Sequence, residues 1–175
     1  MSNIFTGFLF IFWDFHINLE NFTIGLIPDF VGYIFLVKGI TEMTSESTLF
    51  TKVRSASIGM GIYTGILYAL DLFGMETQLG WLGVLLGVVS SIISLYISYT
   101  IVCGIQAIES FRAIDLNGNN LRSIWTYMVL IQIATYVALF IPVLAFILVI
   151  ISVIITIIFL INFNTSKNLY HNLVT

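Results

Sequence analysis

The chain is short of almost everything a water-facing surface needs. Charged residues make up only 9% of its 175 positions, against about 25% in soluble domains, and that scarcity excludes a solvated exterior. One cysteine, Cys103, excludes an internal disulfide and leaves the redox compartment unread. With two histidines, His16 and His171, zinc or nucleophilic chemistry has too few ligands and partners. HExxH, GxSxG and a phosphate-binding glycine loop are all missing, so no residue constellation supports an enzyme and no cofactor is implied. Six basic residues are too few for a nucleic-acid surface. DLNGNN at 115–120 fails as a calcium loop. Gly118 stands at its fourth position rather than its sixth, and Thr126 occupies the place of the bidentate glutamate. No Lys or Arg precedes the first apolar run and no small-residue cleavage pattern follows it, which argues against a removable signal peptide.

What is present is apolar: 59% hydrophobic residues and a mean hydropathy of +1.06. That composition points to an integral membrane protein, long enough for about six spans of ~20 residues. Apolar stretches fall near Ile4–Phe15, Ile24–Val37, Ile58–Phe73, Trp81–Cys103, Ile124–Phe140 and Val143–Phe163. The last two form one run that as a single helix would be ~60 Å long, twice a hydrocarbon core. Pro142 disrupts a helix interior, so a tight reversal is expected there. The six basic residues, Lys38, Lys52, Arg54, Arg112, Arg122 and Lys167, then all fall on the side that holds both termini. The other side carries Asp14, Glu20, Asp29, Asp71 and Glu76. Positive charge is retained inside during insertion. The expected fold is therefore all-α: a polytopic bundle of six transmembrane helices, a single domain over 1–175, both termini cytoplasmic, in the plasma membrane. A five-helix version stays open if the first segment only lies in the interface.

Two stretches between spans have character. Thr41–Ser57 reads as a Ser/Thr-rich loop. Glu109–Ser123 continues the fourth helix amphipathically and turns at Asn117-Gly118.

Counted along standard helices from the basic side, Asp29 stands ~18 Å up, Asp14 ~18 Å and Asp71 ~25 Å. Three aspartates from three helices thus share a band in the outer leaflet, with His16 close by. Ionised carboxylates in lipid are costly, ~2.5–3.5 kcal/mol on insertion scales, and when present they face the bundle interior and mark a site. Pro28 frees backbone amides at a helix start that Asp29 can accept from. The competing reading is that Asp29 only opens a helix that begins late, with Asp14 and Asp71 in the wet headgroup zone. Gln132 and Tyr136, four apart in the fifth helix, either add polar ligands or make interhelical hydrogen bonds. Gly61 and Gly65 in the third helix, with Gly83 and Gly87 in the fourth beside Ser90, Ser94 and Ser98, fit close helix packing. A narrow hydroxyl-lined passage is the alternative for that stripe.

The stretch GLIPDFVGYIFLVKGITEM resembles a segment of uncharacterised small multi-pass membrane proteins of Gram-positive bacteria, in which an LPDFxGY-type run opens a helix. The matching residues are Ile27 (in place of leucine), Pro28, Asp29, Phe30, Gly32, Tyr33, Gly39 and Ile40. The resemblance covers about a tenth of the chain and implies a bacterial plasma membrane, with no activity attached. The six-helix plan is also similar in shape to the substrate-binding subunits of energy-coupling-factor vitamin transporters, without their small-residue coupling pattern in helix one. Two functions follow as expectations. One is a non-enzymatic transport role, in which Asp14, His16, Asp29 and Asp71 bind or pass a cation, proton or small cationic solute through an outward-facing pocket. The other is an accessory or immunity-type protein that docks onto a membrane-protein partner, or a second copy as a homo-oligomer, through its glycine and serine stripes. Whether a metal is bound is left open.

Overall fold

The computed structural model describes residues 1–12, 16–19, 22–25, 28–73, 80–138 and 140–174. Six helices appear in the expected order: α1 (Ser2–Phe12), α2 (Asp29–Glu42), α3 (Thr48–Leu72), α4 (Gly80–Arg112), α5 (Gly118–Ala138) and α6 (Pro142–Val174). Between α1 and α2 lies a β-hairpin of β1 (His16–Leu19) and β2 (Phe22–Gly25), antiparallel with His16 opposite Gly25 and Leu19 opposite Phe22. The chain divides into two compact units, Met1–Ile101 and Val102–Thr175, with α4 continuous through the boundary.

The six helices agree with the all-α expectation, and the short hairpin is a local departure from it. Within the described residues the first span is helical over Ser2–Phe12, and the second, expected from Ile24, begins at Asp29. Proline disfavours α geometry in the residue before it, and β-branched Ile17, Thr23 and Ile24 with Phe22 suit extended backbone. Pro28 takes the N-cap position with φ −67° and ψ 132°, so α2 starts only at Asp29. At 11 and 14 residues, α1 and α2 are ~17 and ~21 Å long, each short of a ~30 Å core.

In the first unit α1 and α2 pack antiparallel around glycines. A Cβ on Gly39 would stand 2.5 Å from the Ile4 nitrogen, and one on Gly7 2.8 Å from the Gly32 carbonyl oxygen. Ile4, Phe8, Leu36 and Ile40 are buried along this seam, and Asn3 Nδ2 donates to Glu42 Oε1 at 2.6 Å across its end. On its other side α2 packs antiparallel on α3, with Gly61 against Tyr33 and Gly65 against Phe30. The helix α3 starts ten residues before its apolar run, inside the stretch expected to be a loop. Ser47 explains the early start, because its Oγ accepts from the Leu49 amide at 3.3 Å, a cap for an otherwise unbonded donor.

In the second unit α5 and α6 form the expected antiparallel pair. The Ile141 amide bonds the Ala138 carbonyl at 2.8 Å, and α6 begins at Pro142, where a missing amide proton costs nothing. It runs on through Lys167 and His171 to Val174, well past Phe163, so its polar end is helical too. The link from α4 to α5 is tightly tied. Arg112 ends α4, Ala113 takes φ 53°, and the Ile114 amide returns to the Glu109 carbonyl at 3.2 Å, a Schellman closure. The Glu109 carboxylate accepts from the amides of Leu116 (2.6 Å) and Gly118 (2.8 Å). It thereby caps α5 from another helix. Asn117 stands at φ 67° and donates through Nδ2 to Asn162 Oδ1 of α6 at 3.1 Å.

Among the described residues, α4 and α6 are long and apolar enough to cross a membrane, over Trp81–Arg112 and Pro142–Leu173. Only 12% and 6% of their apolar windows are buried by the rest of the chain. The core helix of a soluble protein is mostly covered, whereas these apolar windows are largely uncovered among the described residues. Trp81 (87% exposed) stands at the start of α4, where an indole ring favours the membrane boundary.

Candidate functional site

Asp29 is the first residue of α2, so its negative charge sits at the positive end of that helix dipole. Its side chain is half-buried, and Oδ1 is inaccessible to solvent. One turn on, Tyr33 is buried to 2% exposure, and its phenol feels the Asp29 charge while its hydroxyl lies within hydrogen-bonding reach of the Ser94 side chain on α4. Gly61 makes this burial possible: without a Cβ there, α3 comes close against the Tyr33 Cβ. Phe30 stacks obliquely on Tyr68, ring centres 5.7 Å apart, and closes the same end of the α2–α3 pair. Tyr63 donates to the Leu86 carbonyl at 3.1 Å, tying α3 to α4. Asp29, Tyr33 and Ser94 are thus neighbouring oxygen-bearing side chains within the first unit.

The antiparallel register of α2 on α3 sets Asp29 level with residues 65–66. Asp71, near the end of α3, therefore has its backbone about 8 Å farther along. The two acids belong to neighbouring helices and the same end of the unit. The side chains of Asp71 and of His16, which opens β1 opposite Gly25, lie outside the described atoms, and Asp14 lies outside the described residues altogether. Gln132 and Tyr136 belong to the second unit, one turn apart on α5 and both half-buried. Among the described residues no three His, Cys, Asp or Glu side chains cluster.

The packing glycines divide. Gly61 and Gly65 face α2, whereas nothing among the described residues lies within 4 Å of a Cβ on Gly87. Gly83, a turn earlier, is half-buried. The tightest glycine contacts are instead at Gly7, Gly32 and Gly39.

Sequence reasoning passed over Tyr33 as a site member and read Ser94 only within the small-residue stripe of α4. Both carried a signal: Tyr33 follows Asp29 at helical i+4 spacing, and Ser94 belongs to the small-residue stripe of α4. Neither a family model, nor a curated protein, nor a solved structure matches the chain.

Proposed function

We propose that the chain is a multi-pass protein of a bacterial plasma membrane that binds or passes a cation, proton or small cationic solute at Asp29, without an enzymatic role. The observation that carries this reading is the Asp29 carboxylate with one oxygen buried, a single turn from buried Tyr33. A carboxylate surrounded by apolar helices is costly unless it does work there. Oxygen donors alone suit a hard cation or an ammonium group, not a soft metal. Threading follows the charges. In the first unit Lys38, Lys52 and Arg54 share the end opposite Asp29, so positive-inside retention directs Asp29 outward and both termini to the cytoplasm. By their count along the sequence we assign Asp14, Asp71 and His16 to the same outward role.

Proteoliposomes test it. Wild-type protein is expected to dissipate a cation or proton gradient, and Asp29→Asn to lose at least about tenfold of that rate, since neutralising one intramembrane carboxylate removes ~2 kcal/mol or more of ion stabilisation. Unchanged flux in Asp29→Asn contradicts the proposal. The open surface at Gly87 favours docking to a membrane-protein partner as the second reading. Docking predicts loss of function in Gly87→Leu with Asp29→Asn tolerated, the reverse pattern.

A further inference from the structure

Between α2 and α3 the first unit holds an apolar groove of about 340 Å³ lined by Phe30, Tyr33, Ile34, Val37, Ile58 and Ile62, with Gly61 and Ser57 at its floor. The Ser57 hydroxyl is satisfied by the Val53 carbonyl at 3.0 Å, so the groove offers almost nothing to a polar ligand. Its rim is bare apolar surface: Ile34 and Ile62 are 61% and 62% exposed. One end of it is charged. Lys38 lies four residues beyond Ile34, on the same face of α2, and Arg54 lies four residues before Ile58, on the same face of α3. Both are exposed. With Gly61 opposite Tyr33, the register puts Lys38 level with residues 56–57 and Arg54 level with residues 40–41, a height difference of about 4 Å. The two cations therefore flank the same mouth from opposite walls. Exposed Lys52 stands close by, and Glu42, the acid nearest in sequence to Lys38, is engaged by Asn3.

We propose that this groove holds an acyl chain of an anionic phospholipid, its phosphate seated between Lys38 and Arg54. Charge complementarity chooses the occupant. Isoleucine walls accept a hydrocarbon tail, and a pair of cations at the inner end of a groove between membrane helices accepts an anionic head group. Arg54 supplies a planar fork for phosphate oxygens, and Lys38 a point charge. The phosphate seat lies at the end of α2 opposite Asp29, although Phe30 and Tyr33 border both the groove and the Asp29 site. It shares with the functional proposal the placement of α2 and α3 in the bilayer.

The full chain, purified in detergent, is mixed with phosphatidylglycerol or phosphatidylcholine of matched tails, and bound lipid is counted by native mass spectrometry. Phosphatidylglycerol is expected to be favoured about 30-fold, roughly fivefold for each of two basic residues. Lys38→Gln with Arg54→Gln abolishes the preference, Lys167→Gln leaves it intact, and Ile58→Trp lowers retention by filling the groove. Equal retention of the two lipids overturns the proposal, as does a preference that survives the double variant or competition by glycerol phosphate alone. Alkaline carbonate extraction separates the two ideas. A chain that stays in the membrane but shows no lipid preference overturns this site only, whereas a chain washed out overturns the membrane placement and the lipid site together. Loss of cation flux in Asp29→Asn has no bearing on the lipid ratio.

Discussion

Replacing Gly39 by alanine adds a single methyl group to the α1–α2 seam, and the structure fixes the sign of its effect. The new carbon would stand 2.5 Å from the Ile4 nitrogen, 2.6 Å from Ile4 Cγ1 and 3.0 Å from the Asn3 carbonyl carbon. Comfortable contacts are ~3.5–4.0 Å. The Ile4 side chain can rotate away, but its backbone cannot, so α1 must retreat by roughly 1 Å. A radial gap of 0.5–1 Å already forfeits a quarter to a half of each contact's attraction, and the seam includes buried Ile4, Phe8, Leu36 and Ile40. Overpacking of this kind costs ~1–3 kcal/mol, while alanine restores up to ~1 kcal/mol of helix propensity. The clash wins, by ~1–2 kcal/mol. Gly59→Ala is the matched control: it lies inside α3 with nothing within 4 Å of its Cβ, so only the propensity term acts and the variant gains up to ~1 kcal/mol. Detergent-solubilised protein, unfolded by heat or by SDS and followed by circular dichroism, reads both. The reasoning fails if the two variants shift in the same direction, or if Gly39→Ala is as stable as the parent.

Three further outcomes are expected. Glu109→Ala removes a carboxylate that accepts two backbone amides; charge-assisted bonds are worth ~1.5–3 kcal/mol each when shielded, and partial exposure reduces the pair to ~2 kcal/mol, with Glu109→Gln losing about half as much in the same unfolding assay. Ala113→Gly relieves a left-handed alanine at φ 53° and raises stability by ~1 kcal/mol; a loss of stability there contradicts the Schellman closure. Cation binding at Asp29 weakens once the outside is acidified enough to protonate the carboxylate, because protonation removes the charge that holds the ion; binding unchanged by acid in the parent protein, or acid-sensitive in Asp29→Asn, argues against the carboxylate as ligand.

Much of the helical plan was legible because lipid imposes length and because proline and charge punctuate an otherwise uniform run. Pro142 marked the α5–α6 reversal, and the basic residues marked one end of each unit. What escaped notice did so for physical reasons. In a chain where nearly every position is apolar, periodicity is silent, so the four-residue strands at His16–Leu19 and Phe22–Gly25 read as more helix. Pro28 was recognised as a helix start, yet its restriction on the preceding backbone was not applied to Ile24–Gly25. Gly32 and Gly39, seven apart on one face of α2, were a readable packing signal. Their partner Gly7 is distant in sequence and had no spacing to reveal it. Glu109 was beyond reach, since its carboxylate closes a turn seven to nine residues away through backbone that only the folded loop brings round. For the site, the spacing of Asp29 and Tyr33 was visible, whereas Ser94 joins them only through the placement of α4.

The most direct measurement is cysteine accessibility in intact cells, with Cys103→Ser as the background. Asp29→Cys is expected to react with a membrane-impermeant, positively charged thiol reagent added outside. Ser45→Cys, in the turn between α2 and α3, is expected to react only after the cells are opened. External labelling of Ser45→Cys, or an Asp29→Cys that reacts only from the inside, contradicts the account.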